Sequence, residues 1–277
     1  MKSRIPGQHI GHISKAYARV PPTSFYKTGI ADFDRDTGGL PSGELTILAA
    51  RPGVGKTSLA MQVLEHIGAH HKTPSGIFSI EMSGRSLVTR MVLARVPLSS
   101  LALRQGSLNA KEMKLRDKAL DEIAKLPIYI DDSSANTISH VEKVAAQWYR
   151  AGLRFFALDY VQLLMASNRT SDTRTAFIGE AAWRLKQIAK RYDVPFLVLS
   201  QLNRSSTLGK RRPTAADLRE SGDLEQVADN IILLHPDVNQ RPNVDIIREK
   251  WRNGLTGITT VHFDGQRTTF ESVHREE

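Results

Sequence analysis

Residues 43–66 read GELTILAARPGVGKTSLAMQVLEH. Residues 44–49 form a short apolar run of the kind that makes a strand buried on both faces. A helix is expected from Lys56 to about Ile67, and a glycine-containing turn lies between the two. Gly53 and Gly55 allow the backbone N–H groups of that turn to point inward at phosphate oxygens. The loop matches G-x-x-x-x-G-K-[ST] at every position but the first, where Ala50 stands for glycine. Arg51, Pro52, Gly53, Val54, Gly55, Lys56, Thr57 and Ser58 form the candidate phosphate cradle. In this pattern Lys56 reaches the β- and γ-phosphates, and the Thr57 hydroxyl is offered to Mg²⁺. The following helix turns its positive end toward the phosphates. ATP with Mg²⁺ is therefore the expected ligand. A chance GKT tripeptide would lack this strand before it and this helix after it.

The remaining composition narrows the class. With 277 residues, the chain is long enough for one large α/β domain or two small ones. Hydrophobic residues at 40% and charged residues at 24% are ordinary for a soluble globular protein. No apolar run approaches the roughly 20 residues that span a bilayer, and the N-terminus has no secretory signal pattern. With no cysteines, disulfides, thiolate zinc sites and cysteine nucleophiles are excluded, which fits a reducing cytoplasm. The nine histidines show no metal-ligand spacing, so Mg²⁺ is the only metal expected. The formal net charge of +9 suits either a polyanionic partner, nucleic acid first, or a merely basic enzyme. The basic residues cluster. Residues 1–31 carry Lys2, Arg4, Lys15, Arg19 and Lys27 and no acid, and RSSTLGKRRP at 204–213 is a basic loop.

Residues 1–27 read as a linker arm with a short helix around Ile13–Arg19, and the globular domain as 28–277. Strands are expected at 44–49, 76–80, 128–130, 154–158 and 195–199. Helices are expected from 56, from about 85, over 99–126, up to about 150 behind the cap DDSSANT, and over 175–192. Four more strands follow at 230–234, 244–249, 258–263 and 268–271. Alternating β and α units imply an α/β fold: a mostly parallel sheet covered on both faces, with a closing antiparallel portion.

A phosphate loop needs a carboxylate at the end of a neighbouring strand, where open α/β sheets bind ligands. RFFALDYVQLL supplies Asp159 as the second metal-side group. Glu81 follows the strand GIFSI and is either a general base or an acid at a helix N-terminus; spacing alone does not separate the two. Gln201 follows PFLVLS and is either a γ-phosphate sensor or a polar residue opening a loop. Trp148 and Trp183 fall in amphipathic helices and read as core rather than base-stacking platforms, and Trp251 as packing for its strand.

FSIEMSGRSLVTRM, IYIDDSSANT, ALDYVQLL, VLSQLNR, PTAADLRESGDLEQVADN and EKWRNGLTG occur in one order. Together they resemble the successive motifs of the C-terminal motor domain of DnaB-like replicative helicases, a RecA-like P-loop NTPase core, from about Thr28 to Phe263. The resemblance implies that Glu81 is the catalytic glutamate and Gln201 the sensor. It implies that Lys250 and Arg252 reach into the neighbouring subunit's site, and that the protein forms a ring of six. It further implies that Arg219, Glu220 and Gly222 grip the backbone of single-stranded DNA in a central channel. Lys210, Arg211 and Arg212 would add electrostatic attraction. A weaker channel candidate is Ala166–Thr175, with Arg169 and Arg174.

Two departures from the family stand out. The family carries an N-terminal collar of about 100–150 residues that binds primase, whereas only the arm precedes the motor here. Leu255 stands where proline is usual. The expected activity is ATP-dependent translocation on single-stranded DNA, 5′→3′ by resemblance, with duplex unwinding. Expected partners are a homohexamer, single-stranded DNA, a loader or primase, and no membrane, in a bacterial cytoplasm or that of a phage host. The competing readings are a recombinase-like filament ATPase and a regulatory ATPase that modulates a longer helicase.

Overall fold

The computed structural model describes residues 24–165, 174–203, 211–218, 222–237 and 242–273. A two-strand ribbon pairs β1 (Phe25–Tyr26) with β2 (Leu40–Pro41) around helix α1 (Ala31–Thr37). The alternation then runs β3 (Leu45–Ala50), α2 (Lys56–His66), β4 (Ser75–Ser79), α3 (Gly84–Arg95), α4 (Ser100–Gln105), α5 (Ala110–Ile123), β5 (Ile128–Asp131), α6 (Ile138–Arg150) and β6 (Phe155–Asp159). It continues with α7 (Arg174–Tyr192), β7 (Phe196–Gln201), α8 (Gly222–Val227), β8 (Asn230–Pro236), β9 (Asn243–Trp251), β10 (Gly257–Asp264) and β11 (Thr269–Ser272). The arm helix expected over Ile13–Arg19 lies outside the described residues.

Nine strands form one sheet in the order β11-β10-β9-β8-β3-β7-β6-β4-β5. From β8 to β5 all neighbours are parallel, and β9, β10 and β11 close the sheet antiparallel. Strand alternation separates two cores. Leu45, Ile47, Phe156, Leu158, Phe196 and Val198 face α6 and α7 on one side. Leu48, Phe155, Ala157, Leu197 and Leu199 face α1, α2 and α3 on the other. Each of these side chains is at most 2% exposed, and burying one fully stabilises by about 1.5–3 kcal/mol for the larger residues.

The continuous helix expected over 99–126 divides in two. Gly106, at φ 70°, ends α4 in the left-handed conformation that glycine tolerates. Asn109 then opens α5 with a capping box closed by Glu112. α1 escaped the sequence reading because its seven residues are too few to show a helical period. Trp148 packs on Phe78 with ring centroids 4.3 Å apart and belongs to the core. Trp183 does not: it is 55% exposed on α7. Trp251 is buried edge-on against Phe33 at 5.7 Å, so it joins β9 to α1. No helix among the described residues is long and apolar enough to cross a membrane.

Gly76 in β4 lies directly beneath the Trp148 indole. An added Cβ would fall 2.4 Å from two ring atoms, closer than any real contact. Gly76→Ala must displace the ring at an expected cost of about 1–3 kcal/mol, a fall in Tm of about 5 °C for a domain of this size. A melting curve identical to wild type would show that the ring is not held there.

Candidate functional site

Parallel pairing brings the C-terminal ends of β3, β4, β6 and β7 to one edge of the sheet. The loop at 51–55 leaves β3 there, and Gly53 (φ 83°) and Gly55 (φ 100°) take the left-handed conformations that turn it. A Cβ on Gly55 would also meet Phe270 and Phe263 at 2.8–2.9 Å. Ala50, where the motif has glycine, is the last residue of β3 and pairs with Gln201 and Leu234. Its extended conformation accepts a Cβ without strain, which removes the significance of that departure.

A cavity of about 370 Å³ opens at this edge, lined among others by Arg51, Lys56, Thr57, Glu81 and Gln201. Asp159, fully buried, ends β6 beside it. The Thr57 hydroxyl donates to Asp159 Oδ2 at 2.6 Å. Lys56 Nζ lies 3.7 Å from Oδ1 and 4.4 Å from the centroid of the Tyr160 ring. Oδ1 itself accepts no hydrogen bond. A buried carboxylate oxygen without a donor, next to a threonine hydroxyl, is a donor set that a hard divalent cation takes.

β4 ends at Ser79, two residues before Glu81, but its pairing with β6 is prolonged by the amides of Ile80 and Glu81. Both donate to the Asp159 carbonyl, at 2.8 and 3.4 Å. Glu81 is thereby held beside Asp159 with its side chain open to solvent. Desolvation, then the nearby Asp159 charge, push its carboxyl above the ordinary range, while Lys56 and Arg90 pull it down. Lys56 is lowered by burial, opposed by Asp159 and Glu81. Gln201 ends β7 with its amide N–H directed to Gln162 Oε1 at 3.3 Å. The chain beyond it is tied to the segment at 217–218: Leu202 bridges Leu218, and the Asn203 amide donates to the Asp217 carbonyl at 2.8 Å.

Several lining residues had no sequence signal. Arg90 on α3 donates to Ser58 Oγ at 3.2 Å across 32 positions of chain. Phe263, Gly265 and Thr268 enter the cavity from the β10–β11 hairpin, more than 200 residues from the phosphate loop. Only tertiary pairing places them.

Other expected residues lie elsewhere. Lys250 and Arg252 sit at the opposite edge of the sheet, because Trp251 pairs with Asn230 at the start of β8, next to Thr46 in β3. About 15 Å of strand separates them from their own phosphate loop. Lys250 Nζ donates to the Glu225 carbonyl at 2.8 Å, and Arg252 is ion-paired with Asp229. Arg211 forks onto both oxygens of Asp217 at 2.6 and 2.7 Å, holding that carboxyl below its usual range, and Arg212 pairs with Asp245 at 3.0 Å. Gly222 opens α8. Arg174 opens α7 and donates to the Leu164 carbonyl at 3.0 Å. Lys210, Arg219, Glu220 and Arg169 lie outside the described residues.

The profile of the DnaB-like helicase C-terminal domain matches residues 26–272. The replicative DNA helicase DnaB of Buchnera aphidicola subsp. Schizaphis graminum is 39% identical over 255 residues, covering 88% of this chain and 55% of that protein. The replicative DNA helicase DnaC of Bacillus subtilis is 32% identical over 276 residues, covering 97% and 61%. The chain thus spans little more than half the length of the curated relatives it matches. Among solved structures, an isolated ATPase domain superposes with a TM-score of 0.84 at 25% identity, over 96% of this chain and 97% of that one. A DnaB-like replicative helicase studied with primase gives 0.86 at 24% identity, over 99% and 69%, a likeness of fold.

Gly55→Ala closes the loop against Phe263 and Phe270 in a conformation that L side chains avoid. It is expected to weaken binding of a fluorescent ATP analogue by about 10-fold or more, given a strain of about 1–3 kcal/mol. A change of under 2-fold would show that the loop does not cradle phosphate.

Proposed function

The chain belongs to the family of DnaB-like helicase C-terminal domains, and we propose that it is the motor of a ring-forming replicative helicase. In this reading it hydrolyses ATP at subunit interfaces, translocates 5′→3′ on single-stranded DNA and unwinds duplex. The observation that carries the reading is the convergence of Lys56, Thr57, Glu81 and Gln201 on one cavity beside the buried Asp159.

The phosphate loop and Lys56 bind the triphosphate, and Thr57 with Asp159 would hold Mg²⁺. The ion supplies neutralising charge to the β- and γ-oxygens when bound. Glu81 orients the attacking water and accepts its proton, a role that its raised pKa suits. Gln201 senses the γ-phosphate. The Leu202–Leu218 bridge and the Asn203–Asp217 hydrogen bond give that signal a short path toward Arg219, Glu220 and Gly222, the proposed DNA contacts. Arg211 and Arg212 bring less free charge to the strand than isolated arginines would, since carboxylates already face both.

Lys250 and Arg252 serve a neighbour's site, a role supported by their distance from their own phosphate loop. An arginine supplied in trans stabilises charge that develops on the γ-phosphoryl oxygens. A hexameric ring, a loader or primase as partner, and a bacterial or phage-host cytoplasm belong to the same proposal.

The decisive measurement is ATP-dependent unwinding of a forked DNA duplex, with Lys56→Ala as control. Wild type should separate the strands and Lys56→Ala should not; ATP turnover by Lys56→Ala at the wild-type rate would end the assignment. The pH profile tests Glu81. A base with a raised pKa is protonated at higher pH, so turnover should fall on the acid side above the ordinary glutamate range. Arg90→Met removes a charge that favours the ionised form and should move that limb higher still. A downward movement would exclude Glu81 as the base.

A further inference from the structure

Asp229 stands at the edge of the sheet opposite the phosphate loop, one residue before β8, and is 2% exposed. Its Oδ2 accepts the amide N–H of Leu45 at 3.1 Å, the first residue of the strand that ends in the phosphate loop. Its Oδ1 accepts from two cations, Lys186 Nζ at 2.9 Å and Arg252 Nη1. Burial by itself would push this carboxyl up. Lys186, the Leu45 amide and Arg252 outweigh it and hold the group below its usual range, ionised.

Two features separate this arrangement from an ordinary buried ion pair. Lys186, anchored also to the Val227 carbonyl at 2.8 Å, already supplies the counter-charge that a buried carboxylate needs. Arg252 is therefore surplus to neutralisation, and its side chain remains 59% exposed. Arg252 is also fixed at a second point, because its backbone N–H donates to Asn230 Oδ1 at 3.2 Å. Asn230 is itself braced by Glu44 at 2.9 Å. A long, flexible side chain is thus held by its main chain and by one corner of its guanidinium, while the rest of the fork is left to the outside. Five N–H donors in a rigid plane make this double engagement possible; a lysine ammonium has no such second edge.

We propose that Asp229 is a positioning residue for Arg252, holding one edge of the guanidinium so that the other is presented, already aimed, to the γ-phosphate bound by the neighbouring subunit. This rests on the trans role of Arg252 proposed above. Lys186 keeps the carboxylate paired and in place as Arg252 shifts toward phosphate. Fixed orientation matters because misplacing a charge-stabilising group by about 1 Å can cost about 100-fold in rate.

The test is steady-state ATP turnover of the full chain with saturating single-stranded DNA. Wild type, Asp229→Asn, Arg252→Ala and the double variant are compared, with analogue binding and Tm measured in parallel. Asp229→Asn should lower kcat by about 10-fold or more with KM and nucleotide binding within about 2-fold. The double variant should be no slower than Arg252→Ala. Arg252→Lys leaves Asp229 untouched and should turn over close to Arg252→Ala, which keeps the inference testable if Asp229→Asn does not fold. Three results would overturn it: an unchanged kcat for Asp229→Asn, a further equal loss on top of Arg252→Ala, or wild-type turnover by Arg252→Lys. If Arg252→Ala itself turns over like wild type, or wild type not at all, the reading beneath it has failed instead.

Discussion

The hydrogen bonding of β3 on both sides, together with its burial on both faces, governs the rest of the molecule. β7 and β8 occupy its two edges in parallel, and helices cover both surfaces. Five of its six residues are alanine or larger aliphatics, and Thr46 is bonded to Asn230. Polar chemistry can therefore act only at the ends of the strand. One end becomes the phosphate loop. At the other, the Leu45 amide anchors Asp229 and, through it, Arg252. A subunit built in this way presents a nucleotide-binding edge and an arginine-bearing edge about one strand length apart. A head-to-tail assembly would bring one against the other, and a rotation that closes makes a ring.

The site concentrates charge in a place where the fold gains little from it. Asp159 is fully buried with one oxygen lacking a donor, Lys56 is desolvated, and Glu81 stands near a like charge. Such a cluster costs stability unless a ligand completes it. The surrounding apolar layers tolerate that cost because they are continuous: Leu158 before Asp159, and Ala49 and Ala50 before the loop, are at most 1% exposed. The same economy is visible at the proposed DNA side. Arg211 and Arg212 are paired to Asp217 and Asp245, which orders the approach to Leu218 more than it adds net positive charge.

The strand–loop–helix unit was legible in residues 43–66 because both its signals are local: a short apolar run and a glycine turn ending in Gly-Lys-Thr. The alternating β and α units, the antiparallel closure and the strand-end position of Asp159 were legible for the same reason. The places where the sequence reading failed have identifiable causes. Gly106 and Asn109 break the run at 99–126 through caps that outweigh its helical composition. α1 is too short to carry a period. Trp183 follows an amphipathic pattern yet remains exposed, since periodicity marks a face without saying what covers it.

By itself, the sequence determined the class of fold, the location of the phosphate loop and the family, because glycine placement, strand-length apolar runs and ordered motifs are properties of neighbours along the chain. Only the tertiary structure decided which side chains share a cavity and which lie a strand apart. Arg90 and the β10–β11 hairpin join the nucleotide edge, while Arg252 and Asp229 meet at the other. These relations depend on strand order and register, set by the pairing of β8 with β3 and of β9 with β8 across gaps of up to nearly two hundred residues. No local pattern encodes a contact of that range; it follows from burying both faces of one sheet at once.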